Sequence, residues 1–212
     1  MGVVTTKHKD WTGDNTSIFA TLGASNHFTS DRAEYDYYAT EPKATQLLLE
    51  EECFHQIVWE PAAGELHMSN VLETAGYTVI SSDIIRRVPN IIIGDFLTSA
   101  EEIRNTYIGK DQPFDIVTNP PYKYAMEFAQ KGLEVLHDGC KLALFLKLTF
   151  LEGKGRKNFF SDNPPETVYV SSSRLKCAAN GDFDSVKSSA AAYAWFVWTK
   201  GVKTLPVIKW IN

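Results

Sequence analysis

From about residue 40 onward, short apolar runs alternate with amphipathic stretches, a pattern that suits a sheet layered with helices and little else. Residues 57–59, 78–81, 91–93, 114–117, 142–150, 166–170 and 192–198 read as strands. Between most of them apolar residues recur at helical spacing. Pro42 precedes Ala44, Leu47 and Leu48; Met68, Val71, Leu72 and Ala75 end at Gly76; Met126, Ala129, Leu133 and Leu136 end at Gly139. Thr98-Ser99-Ala100-Glu101 has the spacing of a capping box and predicts a helix start. The expected architecture is α/β: a mostly parallel, seven-stranded, Rossmann-like sheet with helices on both faces. The last two strands, with no helix between them, should run antiparallel.

In such a sheet, ligands bind beyond the carboxyl ends of the parallel strands. The unusual residues of the chain fall at those ends: Glu60-Pro61-Ala62-Ala63-Gly64, Asp83, Asp95, and Asn119-Pro120-Pro121-Tyr122. An Asn side-chain oxygen and a Pro carbonyl can each accept a hydrogen bond, so together they can grip both protons of an amine. Tyr122 adds a flat ring on which a planar group can stack. Gly64 permits a tight turn into a helix N-terminus, and Asp83 could accept from the two hydroxyls of a ribose. There is no G-x-G-x-x-G and no P-loop, so a nucleoside cofactor without phosphates suits the turn better than a dinucleotide.

Composition narrows the classes further. Hydrophobic residues make up 44% of the 212, enough for a packed core. No run approaches the ~20 apolar residues of a membrane span, and the polar first 15 residues lack a signal-peptide core, so a cytoplasmic protein with no membrane partner is expected. Cys53, Cys140 and Cys177 show no metal spacing and read as reduced thiols. The formal charge of −5 argues against a nonspecific coat on nucleic acid. Between Lys141 and Lys187, however, eight basic residues face five acidic ones. Residues 1–34 have no periodicity and read as an N-terminal arm ahead of one body, 35–212.

With these motifs in view, the chain resembles class I S-adenosylmethionine-dependent methyltransferases that modify amino nitrogens. Glu60-Pro61-Ala62-Ala63-Gly64 looks like their first cofactor motif and Asn119-Pro120-Pro121-Tyr122 like their catalytic motif. Asp36-Tyr37-Tyr38-Ala39-Thr40-Glu41-Pro42 is similar to the upstream motif near the methionine part of the cofactor. Phe150-Leu151-Glu152-Gly153 and Ala194-Trp195-Phe196-Val197-Trp198 look like small phage and prophage DNA adenine methyltransferases, and the motif order is the gamma type. The resemblance implies S-adenosylmethionine as cofactor, held by Tyr38, Thr40, Glu60, Pro61, Ala62, Gly64, Asp83, Ile84, Asp95, Phe96 and Asn119. It implies DNA as partner, with Asn119, Pro120, Pro121 and Tyr122 catalytic. Tyr122, Lys154, Arg156, Lys157 and Phe160 would meet the substrate, and no metal is implied. Leu66 departs from the pattern, standing where relatives commonly carry a second Gly.

Other readings stay open on the residues alone. A protein glutamine side chain is a planar amide that the same clamp could hold, although the enzymes that use it carry a helical domain ahead of the catalytic one. A non-catalytic cofactor- or DNA-binding module is a second alternative. The Trp195-Phe196-Val197-Trp198 stripe reads as core, and the histidines at 27, 55, 67 and 137 show no partner pattern.

Overall fold

The computed structural model describes residues 38–179, 183 and 191–212. The expected N-terminal arm, Asp36-Tyr37 and the Asn180-Gly181 loop lie outside the described residues.

The described residues begin with a short strand, β1 (Tyr38–Thr40), and helix α1 (Pro42–Glu51). Then follow β2 (Ile57–Glu60), α2 (His67–Thr74), β3 (Thr78–Asp83), β4 (Ile92–Ile93) and α3 (Phe96–Ile103). The second half holds β5 (Asp115–Thr118), α4 (Ala125–Val135), β6 (Lys141–Lys147), α5 (Lys157–Asp162), β7 (Thr167–Ser171), β8 (Cys177–Ala179), β9 (Tyr193–Thr199) and β10 (Val207–Ile211). Eight strands form one sheet in the order β10-β7-β9-β6-β5-β2-β3-β4, while β1 and β8 form a separate antiparallel ribbon. Only β9 runs against its neighbours, pairing antiparallel with both β6 and β7. All other pairings in the large sheet are parallel, so β2, β3, β4, β5, β6 and β7 end at one edge.

Side chains along the central strands alternate between two cores. Trp59, Ile116, Leu142, Leu144, Phe196 and Trp198 face α3, α4 and α5. Val58, Val117, Phe145, Trp195 and Val197 face α1 and α2. The Trp195-Phe196-Val197-Trp198 stripe is core on both faces, at most 2% exposed. Helix α1 starts with Pro42 at its first turn and buries Ala44, Leu47 and Leu48. Burying a Leu as completely as Leu48 contributes about 1.5–3 kcal/mol.

Three expectations change. The sheet gains an eighth strand, β10, which pairs parallel with β7 from Val207↔Thr167 to Ile211↔Ser171. Its lone buried residue is Ile211, so the strand has little hydrophobic signal; Pro206 just before it is compatible with an edge position. The long run 142–150 is strand only to Lys147, after which a 3-10 helix (Leu148–Leu151) turns the chain away. Helix α3 starts at Phe96 and not at the capping box, because the Asp95 carboxylate already accepts from Leu97 N at 2.9 Å. Among the described residues, no helix is long and apolar enough to cross a membrane.

Candidate active site

Strand β5 delivers Asn119 to the carboxyl edge of the sheet. Its side-chain nitrogen donates to the Tyr38 carbonyl at 3.0 Å and to Thr40 Oγ1 at 2.9 Å. A backbone carbonyl can only accept, so this contact sets which end of the amide faces β1. The other end, Asn119 Oδ1, is buried and has no hydrogen-bond partner among the described residues. A buried, unpaired carbonyl costs about 1–3 kcal/mol. An amine N–H reaching Oδ1 would recover that cost. Beyond the two prolines the chain turns at once into a 3-10 helix (Tyr122–Tyr124), with Tyr124 N donating to Pro121 O at 2.8 Å.

Strand β1 is held in place by β8, with Thr40 opposite Cys177. Glu41 and Lys176 extend that pairing, Glu41 N to Lys176 O at 3.2 Å and Lys176 N to Glu41 Oε1 at 2.6 Å. Tyr122 packs beside this ribbon. Its ring stacks on Tyr38 with centroids 5.6 Å apart and planes at 28°, and its hydroxyl donates to the Tyr193 hydroxyl at 3.2 Å. Burial pushes the Tyr122 hydroxyl well above the usual phenol range, so it stays protonated. Lys147 Nζ lies 4.8 Å from the ring centroid, a cation–π contact. Lys147 and Tyr193 are register partners across β6 and β9. The sequence reading missed both, because Lys147 fell inside a run read as continuous strand.

The second half of the site is the turn after β2. Glu60 is 3% exposed and accepts from the Ser69 hydroxyl of α2. Burial pushes its carboxyl up to about 8, more than the Ser69 hydrogen bond pulls it down. Pro61 is buried and Ala62 half-buried. Gly64 turns with φ 53°, and its N–H donates to Asp83 Oδ2 at 2.9 Å. Ile85 N donates to Asp83 Oδ1 at 2.9 Å. Asp83 therefore buckles the β2 turn to the end of β3 while keeping lone pairs on both oxygens. Ile84, next to it, is 55% exposed at the same edge. Leu66 sits in the left-handed region at φ 66°, immediately before α2.

The remaining candidates separate. Asp95 is half-buried and spends a carboxylate oxygen on capping α3. Phe96, expected at the cofactor, is instead 2% exposed and packs edge-on against Trp59 in the core. Arg156, expected at the substrate, donates to the carbonyls of Thr149 and Glu152 and lies 5.2 Å from the Phe150 ring centroid. Its guanidinium thus closes its own loop. Phe160, half-buried, packs edge-on against Phe150 and Phe159 at the margin of the core. Lys154 and Lys157 are exposed.

Neither a protein-family model nor a curated protein matches the sequence. Solved structures do match the fold. A Listeria monocytogenes protein assigned to the class I S-adenosylmethionine-dependent methyltransferases aligns over 91% of this chain and 71% of its own, with TM-score 0.51 and 13% identity. The fold is that of class I methyltransferases. A Pyrococcus horikoshii protein assigned as an RNA methyltransferase aligns over 90% of this chain and 100% of its own, with TM-score 0.57 and 13% identity. The M protein of the type I restriction enzyme EcoKI aligns over 80% of this chain but only 45% of its own, with TM-score 0.51 and 15% identity. Strand β10 lies at one edge of the eight-stranded sheet, and β1 of the two-stranded ribbon meets Asn119 through Tyr38 and Thr40.

Proposed function

We propose that this chain methylates the exocyclic amino nitrogen of adenine in DNA, with S-adenosylmethionine as methyl donor. The observation that carries this reading is the buried, unpartnered Oδ1 of Asn119, held in one orientation by Tyr38 and Thr40. The likeness to a restriction-enzyme subunit and to a protein assigned as an RNA methyltransferase favours a nucleic-acid substrate.

The residues at the β2 and β3 ends fit the cofactor. Asp83 keeps acceptor sites for a ribose diol, exposed Ile84 offers an apolar surface for an adenine ring, and the Gly64 turn lets backbone come close. The cofactor supplies a methyl group activated on a sulfonium. On the substrate side, the adenine amine is a weak nucleophile because its lone pair is delocalised into the ring. Hydrogen bonds to Asn119 Oδ1 and the Pro120 carbonyl draw the nitrogen toward a pyramidal geometry. The same two oxygens stabilise the positive charge that grows there, an electrostatic form of catalysis. The proton leaves readily afterwards, so no strong base is required. In duplex DNA the target base must leave the stack, and Tyr122 would take it by giving up its present stack on Tyr38.

The test is transfer of labelled methyl from S-adenosylmethionine to unmethylated duplex and single-stranded DNA, followed by nucleoside analysis. Methyladenine should appear with the wild type and fall below detection with Asn119→Ala. Label found only on protein, or no transfer despite measurable cofactor binding, overturns the reading.

A further inference from the structure

At the opposite edge of the sheet, the starts of β2, β5 and β6 bring together three side chains that are far apart in sequence. Asp115 opens β5, Cys140 immediately precedes β6, and His55 lies two residues before β2. Their ligand-type atoms, His55 nitrogen, Asp115 oxygen and Cys140 sulfur, all lie within 4.8 Å of one another. We propose that these three residues bind a zinc-class divalent cation that ties the three strand starts together. The proposal is independent of the methyltransferase reading.

Geometry supports it first. His55 Nδ1 stands 3.0 Å from Asp115 Oδ1 and 3.1 Å from Oδ2. Nitrogen and oxygen ligands on a tetrahedral zinc lie about 3.4 Å apart, with sulfur slightly farther, so the ion needs shifts of only a few tenths of an ångström on the His–Asp side. It would take the place of the hydrogen bond that now joins the imidazole to the carboxylate. The carboxylate is also held rigidly, since His55 N and Lys141 N each donate to it at 2.5 Å. Such outer contacts orient a ligand before the metal arrives.

Placement supports it second. Asp115 and Cys140 are 0% and 1% exposed, a carboxyl and a thiol gathered out of water, which a dication would bind by displacing the thiol proton. The neighbouring Lys141 ammonium does not enter the cluster. Lys141 turns its Nζ away, to Glu52 Oε2 at 2.5 Å and the Cys53 carbonyl at 3.0 Å. His55 has a side chain 41% exposed, so the cluster has one open side through which an ion can enter and a water can complete the shell. One sulfur, one nitrogen and one oxygen suit zinc or cobalt better than magnesium or calcium.

Cobalt(II) titrated into the full, metal-stripped chain tests it. A thiolate-to-cobalt charge-transfer band and strong tetrahedral visible bands should appear, disappear on adding zinc, and be accompanied by a rise in Tm with zinc. Cys140→Ser should abolish the charge-transfer band. His55→Ala, checked for folding by circular dichroism, should weaken cobalt binding beyond the roughly 10–100-fold that loss of an outer contact costs. A cobalt spectrum without a thiolate band, or one unchanged in Cys140→Ser and His55→Ala, overturns the proposal.

Discussion

Leu66 carries a conformation that its side chain disfavours. A left-handed backbone costs a non-glycine L-residue on the order of 1–2 kcal/mol, and Leu66 adopts it at φ 66° in order to start α2. Leu66→Gly should therefore raise stability by about 1 kcal/mol in urea unfolding, the reverse of the usual effect of truncating a half-buried Leu. No gain would mean that packing of the Leu side chain outweighs the strain. Glu60 gives a pH signature. Its carboxyl moves up from 4.5 to about 8 in the folded chain, so the folded state holds its proton where the unfolded state has lost it. The resulting stabilisation is complete below about pH 4.5, declines as pH rises, and is gone above about 8. Glu60→Gln should remove this slope, and the urea midpoints of the two proteins should diverge in favour of Gln between pH 5 and 8. Parallel pH profiles would show that Glu60 is ionised in the folded protein.

Among the elements, β10 and the 148–157 segment behave differently from what their local sequence suggests. Strand β10 has exposed Val207, Ile208 and Trp210, yet it is anchored by Ile211, which is 6% exposed and packs with the core around Tyr169. Ile211→Ala should cost about 2–5 kcal/mol, as for other buried Ile truncations, whereas Ile208→Ala, half exposed, should cost well under half as much. Equal effects would show that β10 contributes pairing and no core. The segment after β6 reads as basic, but its charges divide by what the backbone needs. Arg156 supplies donors to the carbonyls of Thr149 and Glu152, while Lys154 and Lys157 remain exposed. Composition reveals the charge, and only the loop's own unpaired carbonyls decide which side chain is consumed locally.

For the molecule as a whole, a net charge of −5 means that the proposed contact with DNA would have to be carried by a few local cations. If Lys154 and Lys157 meet phosphates, the double Ala variant should reduce the slope of log affinity against log salt by about 2 and weaken all DNA sequences alike. An unchanged slope would move the DNA path away from this loop. The sheet, its helical layers and the edge at which Asn119 and Gly64 lie were legible in the sequence, because the periods of strand and helix are local properties. Partners were not legible. Asn119 takes its orientation from residues 79 and 81 positions away, and His55 meets Asp115 across 60. Phe96 has the same spacing from Asp95 whether it faces a ligand or the core, and Trp59 and Phe128 place it in the core. The sequence by itself determined which residues stand at strand ends. The tertiary structure alone decided which of their atoms are already paired and which, like Asn119 Oδ1, are left free, because hydrogen-bond pairing depends on groups brought together only when the sheet closes.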